Sequence, residues 1–435
     1  MFIIQLLKCL QILTVAAFWY LWNPRSIFYR KLLHRLRQEN ILFTKIFQSL
    51  SNTTSFDLNI ELRTELRPYT SNASYTEDEI NYDIIDAVET EYRVCIDRHV
   101  ANSGMIALIF YGTDTSGSPV VLKLKRANIS DRLRVGCEDI GRFYNWASYW
   151  FPRNIVIRAL RPFFLNLDDI IEQCNFNHEI AHMTEAREDY AELEFVHIPQ
   201  ARNKRTDTDT DTDTEYILMD RIEGSHLLRP DIAEETRLDL LYKFCLFGSF
   251  GYVSNAIQHI DLHPGNVLFM PNGDIGIIDF GLAFRFTDDE HDILLSLGEL
   301  MRGTNRLEDI DIIDVFKNIF YPPLRSEDIT NHEEFADICR SILQPILEYI
   351  DANELSLLDC LDRLGTLMNR DITMAPHFYK TILGMMCMGQ LYSIMGRLYE
   401  NRDLLRSMEI RALNSAFLMV MSPSLSPSPS SPCVL

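Results

Sequence analysis

The first 22 residues, MFIIQLLKCLQILTVAAFWYLW, form an almost unbroken apolar run, interrupted only by Gln5, Lys8 and Gln11. An α-helix needs about 20 such residues to cross a bilayer. Trp19, Tyr20 and Trp22 close the run where an aromatic belt sits, and Arg25, Arg30, Lys31, Arg35 and Arg37 follow. This pattern predicts a single-pass membrane anchor over residues 1–24, with the rest of the chain on the cytoplasmic or matrix side. The first acidic residue is Glu39, so a mitochondrial presequence is a competing expectation. A helix buried against the folded domain is a third. A cleaved secretory signal fits less well, because bulky residues stand where a small-residue cleavage site belongs.

Helical spacing follows over residues 27–50 and again over 77–95, the second opened by Thr76 before Glu77, Asp78 and Glu79. From Met105 the period becomes that of strands: IALIFYG and VVLKLK are split by the turn-rich DTSGSP, which predicts a hairpin. Helical segments return between Ser130 and Glu194. The repeat TDTDTDTDT, Thr206 to Thr214, has no apolar residue and reads as a solvated loop ahead of the strand YILMDRI. After Gly224 the chain reads as mainly helical except for NVLFM and DIGIIDF, and Pro423 to Pro432 is a Ser/Pro-rich tail expected to be disordered.

Composition narrows the classes. Hydrophobic residues at 47% and charged residues at 24% suit a globular protein with a sizeable core. A formal net charge of −21 argues against general nucleic-acid binding, since phosphates are repelled. The nine cysteines form no Cys-x-x-Cys pair and are odd in number, which argues for reduced thiols over a disulfide framework or zinc ribbon. The sequons at Asn52, Asn72 and Asn128 are read as unmodified.

The densest chemistry lies in HIDLHPGNVLFMPNGDIGIIDFG, His259 to Gly281. It reads as loop, strand, Asn-Gly turn, strand and Asp-Phe-Gly. Phosphoryl transfer asks a protein for a group that orients or deprotonates the acceptor and for oxygen ligands that hold Mg²⁺ on the nucleotide phosphates. Asp261 can supply the first, while Asn266 and Asp279 supply hard oxygen ligands. His259 and His263 are expected to shape the loop. Upstream, Lys123 sits mid-strand in PVVLKLKR and can point at phosphates; Lys125 shares its face and is the rival. In NFNHEIAH, Asn175 to His182, Glu179 can pair with the strand lysine. The same letters spell His-Glu-x-x-His, a zinc-protease signature through His178 and His182. Zinc would need a third ligand that no downstream motif supplies, and it would leave residues 259–281 unexplained.

These motifs resemble the UbiB family of atypical kinases, also called ADCK proteins, from about Glu39 to at least Met301. The segment His259 to Asn266 resembles the family's HxDxHPGN loop, and VVLKLKR resembles its lysine strand. NFNHEIAH resembles its glutamate helix, and MDRIEG, Met219 to Gly224, its hinge. FTKIFQSLS matches the N-terminal Lys-x-Gly-Gln signature through Lys45 and Gln48, with Phe47 in place of glycine. ANSGMIAL, Ala101 to Leu108, stands for the alanine-rich nucleotide loop, with Ser103 and Gly104 as phosphate contacts and Met219 as a nucleotide contact.

The resemblance implies an α+β, bilobal protein-kinase-like fold with an N-terminal helical extension. The implied division is an extension over 25–98, an N-lobe over 99–222, a C-lobe over 223–421 and a tail over 422–435. ATP and Mg²⁺ are the implied cofactors, and ATP hydrolysis or phosphoryl transfer linked to quinone or lipid metabolism is the implied chemistry. Membrane lipids or a lipid-like small molecule, and a membrane protein complex, are the implied partners. No Ala-Pro-Glu follows Asp279, so a protein-substrate groove is not evident. Two alternatives stay open: a pseudokinase scaffold, and a soluble small-molecule kinase of the aminoglycoside or choline type, which shares HxDxHPGN.

Overall fold

The computed structural model describes residues 11, 14–44, 47, 60–66, 75–152, 164, 167–203, 214–228, 232–303, 316, 320–321, 323–325, 327, 329–348, 373–375, 380–381, 391–392 and 395–421. The principal elements are, in chain order, α1 (Arg25–Glu39), α2 (Tyr82–Tyr92), β1 (Val94–Ser103), β2 (Ala107–Asp114), β3 (Pro119–Lys125), α3 (Ile129–Trp150), α4 (Phe176–Asp189), β4 (Val196–His197) and β5 (Tyr216–Asp220). They continue with α5 (Glu234–Ser254), β6 (Gln258–His259), β7 (Val267–Phe269), β8 (Ile275–Ile277), β9 (Ala283–Phe284), α6 (Asp288–Arg302) and α7 (Arg402–Met421). The chain divides into two compact units. One comprises Met1–Arg142, Ile170–Asn177 and Ala201–Arg221; the other comprises Phe143–Asp169, His178–Gln200 and Ile222–Leu435.

The first unit is built on an antiparallel sheet of order β1-β2-β3-β5. Side chains alternate across a strand, so Val120, Leu122 and Leu124 share one face of β3. They join Leu108 and Phe110, Leu218, and Ile85 and Val88 of α2 in one buried cluster. Each such side chain contributes about 1.5–3 kcal/mol when fully buried. The opposite face of β3 is left to Lys123 and Lys125. The β2–β3 turn is closed by Asp114, whose Oδ1 accepts from the amides of Ser116 and Ser118 at 2.9 Å each. Gly117 takes the positive φ of 84° that this turn requires.

Three sequence expectations change here. The segment read as one helix over 77–95 is a 3-10 turn, Glu77–Glu79, capped by Thr76, followed by α2 after a break at Ile80 and Asn81. Strand β1 then begins at Val94, where no strand was expected. Its alternation is broken by register shifts between Ile96 and Val100 and between Val100 and Asn102, which hides the period of two. The helix expected over 27–50 ends at Glu39. The Asn40 side chain accepts from the Leu42 amide and donates to the Gly136 carbonyl, both at 2.9 Å. Phe47 is buried beside Leu33 and Leu66, so a bulky ring there is a packing residue; Lys45 and Gln48 lie outside the described residues.

The single-pass anchor over residues 1–24 is corrected. Among the described residues no helix is long and apolar enough to cross a membrane. The described helical turn 14–22 stops at a bend at Asn23, whose amide donates to the Trp19 carbonyl at 3.0 Å. Helix α1 then starts afresh after Pro24 and carries Arg25, Arg30, Lys31, Arg35 and Arg37, which a bilayer core does not accept. The first ten residues, most of the Asp/Thr repeat and the Ser/Pro tail lie outside the described residues.

In the second unit α5 packs along α7. They bury Leu240, Leu241 and Phe244 on one and Leu405, Met408 and Ala412 on the other, with Tyr242 and Ser415 hydroxyls 3.0 Å apart. Two small sheets, β4-β8-β7 and β6-β9, frame the segment that carries the chemistry.

Candidate active site

In the second unit the segment from His259 to Gly281 is pinned at both ends by short ladders. On one side β6 pairs with β9, and the Ile260 amide donates to the Leu282 carbonyl at 3.0 Å. On the other, β7 pairs with β8, and the Ile278 amide donates to the Asn266 carbonyl at 3.0 Å. The loop 261–265 and the tripeptide 279–281 therefore lie between the two ladders. The Asn272-Gly273 turn joins β7 to β8, with Gly273 at φ 87°. Lys243 of α5 holds that turn through the Gly273 carbonyl at 2.6 Å, and His197 of β4 meets Asp274 at 2.8 Å. Gly276 is required by closeness: a Cβ there would lie 2.8 Å from Ile222 Cγ2.

Inside this frame each polar residue has a defined place. His263 turns the loop, accepting from the Gly265 amide through Nδ1 at 3.0 Å. Asn266 is buried, and its Nδ2 donates to the Asp261 carbonyl at 2.9 Å. That bond fixes the amide plane and turns Oδ1 to the other side of the group. Asp261 is half-buried and Asp279 is exposed. Asp279 takes a left-handed φ of 65°, and its Oδ1 accepts from the Gly281 amide at 3.3 Å. His259 is buried edge-on against Phe280, with ring centroids 5.1 Å apart, and its Nε2 meets the Ile278 carbonyl at 3.3 Å. Burial lowers its pKa, opposed chiefly by the charge of Asp261 and also by Asp279. A neutral His259 that donates through Nε2 is the form this environment favours.

Asn266 and Asp279 fit Mg²⁺. Both present hard oxygens, and magnesium takes one or two protein ligands and completes its shell from phosphates and water. They do not suit zinc, and neither does the His-Glu-x-x-His run. Glu179 in that run is 1% exposed, and the rings of His178 and His182 lie 6.4 Å apart. Nδ1 of His182 faces the Phe280 carbonyl at 3.2 Å. Among the described residues no group of three or more His, Cys, Asp or Glu is placed to hold a metal ion.

The remaining residues lie in the first unit, apart from Glu179 in the second. Lys123 is 7% exposed, with its ammonium 5.6 Å from the Phe176 ring. Lys125 sits 5.2 Å from the same ring and 3.5 Å from a Glu215 carboxylate. Cation–π contact of this kind lowers the cost of burying an ammonium. Ser103 is buried, and its hydroxyl accepts from Arg126 at 2.6 Å; the same nitrogen donates to the Gly104 carbonyl at 2.6 Å. Met219 of β5 pairs with Val121 and bridges Ala201.

Sequence reasoning missed two connections here. One is the tie from His182 to Phe280, whose signal is a histidine three residues after Glu179. The other is the Glu79–Arg126 ion pair under the Ser103 loop, 2.7 Å long, which no local spacing reveals.

The sequence model of the ABC1 atypical kinase-like domain matches residues 73–304, more than half of the chain. The chain belongs to this family. The matched ABC1 domain takes in the whole sheet of the first unit and the His259–Gly281 segment, which makes the fold an α+β one with a kinase-like domain. An uncharacterised Dictyostelium discoideum protein is 22% identical over 169 residues, 38% of this chain; the aligned part is 14% of that relative's length. Among solved structures, the complex of Rv3197 with erythromycin from Mycobacterium tuberculosis is similar at a TM-score of 0.47 and 16% identity, over 80% of this chain and 85% of that one. A likeness of that level carries no argument about what this chain binds.

Proposed function

We propose that this ABC1 domain binds ATP with Mg²⁺ and hydrolyses it or transfers its terminal phosphoryl group. The observation that carries the reading is the Asn266–Asp261 hydrogen bond within a loop pinned beside Asp279. It supports a reading in which the Asp261 carboxylate, the Asn266 amide oxygen and the Asp279 carboxylate act together. Asp261 orients or deprotonates the attacking oxygen, and Asn266 and Asp279 hold Mg²⁺. When bound, the metal neutralises charge on the phosphate oxygens. Lys123 is assigned the phosphate charge and Glu179 the role of its partner, and both assignments rest on the UbiB resemblance. Ser103, Gly104 and Met219 contact the nucleotide.

The acceptor is a small molecule of quinone or lipid metabolism, a reading that rests on the UbiB resemblance. Nucleotide binding without turnover is a second reading, motivated by the buried Phe47 in place of glycine in the Lys-x-Gly-Gln-like segment and by the altered nucleotide loop. Binding of radiolabelled ATP to the full chain, with and without Mg²⁺, tests the first step. Binding that depends on Mg²⁺ and is lost in Asp279→Asn supports the proposal; binding indifferent to both refutes it.

A further inference from the structure

Asp279 holds a backbone conformation that an L-residue adopts at a cost, at φ 65°. Asp tolerates this region better than most residues, yet it persists only where the surroundings fix it. The two carbonyls that flank it in sequence are both engaged by imidazoles of the same unit. His259 Nε2 lies 3.3 Å from the Ile278 carbonyl, and His182 Nδ1 lies 3.2 Å from the Phe280 carbonyl. A carbonyl oxygen only accepts, so each facing ring nitrogen carries the proton. The Phe280 side chain between them is fully buried. The Ile278–Asp279 peptide is thus held from the His259 strand, and the Phe280–Gly281 peptide, whose N–H donates to Asp279 Oδ1 at 3.3 Å, is held from α4.

We propose that His182 is a positioning residue for the metal-binding carboxylate, acting through the Phe280 carbonyl; this rests on the proposed Mg²⁺ role of Asp279. Donation from His182 fixes the Phe280–Gly281 peptide, so that its Gly281 N–H holds the Asp279 carboxylate at one angle while His259 holds the peptide before Asp279. His182 stands one helical turn after Glu179, so α4 carries both the proposed lysine partner and the clamp on the metal loop. Groups that orient a metal ligand set its affinity, and their loss typically weakens binding about 10–100-fold.

The test is a Mg²⁺ titration of the thermal midpoint of the full chain at fixed ATP, compared between wild type, His182→Phe, His182→Ala, His182→Asn and Asp279→Asn. The two variants that remove the N–H donor by different shapes should raise the half-saturating Mg²⁺ concentration at least about tenfold. His182→Asn, which keeps a donor near the Nδ1 position, should recover most of that loss. Asp279→Asn should abolish the response. A purely structural role would lower the midpoint without Mg²⁺ and leave the half-saturating concentration unmoved. That outcome in whichever donor-less variant unfolds cooperatively, with Asp279→Asn still abolishing the response, overturns the inference alone. A Mg²⁺ response unchanged in Asp279→Asn overturns the functional reading and the inference with it.

Discussion

Arg126 is 4% exposed and holds the β1–β2 turn of the first unit in place. It donates to Glu79 Oε2 at 2.7 Å, to Ser103 Oγ at 2.6 Å and to the Gly104 carbonyl at 2.6 Å. Burial lowers its pKa, and the Glu79 charge opposes that shift. The other oxygen of Glu79 takes Arg132 at 2.6 Å, but the Arg132 side chain is 48% exposed. Glu79→Ala therefore removes the carboxylate that faces a buried guanidinium, a loss of about 3–5 kcal/mol. The Thr76 amide, which donates to Glu79 Oε2 at 3.3 Å, adds about 1 kcal/mol or less. Arg132→Ala removes a solvent-screened partner and costs about 0–1 kcal/mol. Replacing both buried partners, Arg126→Met with Glu79→Leu, costs far less than the two single changes summed, because no charge is left behind. Urea unfolding followed by circular dichroism measures all four. Glu79→Ala within about 1 kcal/mol of wild type, or Arg132→Ala as costly as Glu79→Ala, would mean that Glu79 does not offset a buried charge.

Three further outcomes follow from the same structure. Lys123→Met should weaken ATP binding at least about tenfold, near 1.4 kcal/mol, while Lys125→Met, whose ammonium lies beside Glu215, should weaken it far less; equilibrium binding decides. Gly276→Val should destabilise by about 1–3 kcal/mol in urea unfolding, because the new Cβ meets Ile222. The Ser116 hydroxyl and then Arg202 hold the Asp114 carboxyl below its ordinary range. A depressed folded pKa gives stability that is present above the ordinary carboxylate value and lost as pH falls through the folded value. Thermal midpoints of Asp114→Asn should accordingly converge on wild type in strong acid and fall below it at neutral pH; a constant gap across pH would contradict this.

What the sequence disclosed depended on whether the information was local. The hairpin of β2 and β3 was legible because Leu108 and Phe110 alternate cleanly, as do Val120, Leu122 and Leu124, and because a turn-forming stretch separates them. Strand β1 was not, since its two register shifts leave exposed residues where the period expects buried ones. The apolar start suggested a membrane span, but the length and hydropathy of a run do not foresee a bend at Asn23. Within the site, Asp261, Asn266 and Asp279 announced themselves because one contiguous hairpin carries them. The bond from His182 to the Phe280 carbonyl joins residues 98 positions apart, and the pairing of Glu79 with Arg126 spans 47. The separation within each pair holds no signal, although His182 itself was marked by its place three residues after Glu179, and only the folded chain brings the partners together.

The central claim is that Asp261, Asn266 and Asp279 form a magnesium–nucleotide site that performs chemistry. Phosphate release from ATP by the full chain, measured with and without Mg²⁺ for wild type, Asp261→Asn and Asp279→Asn, tests it most directly. Mg²⁺-dependent turnover that is lost in both variants is the expected result. Turnover that survives undiminished in Asp279→Asn, or that needs no divalent cation, would contradict it.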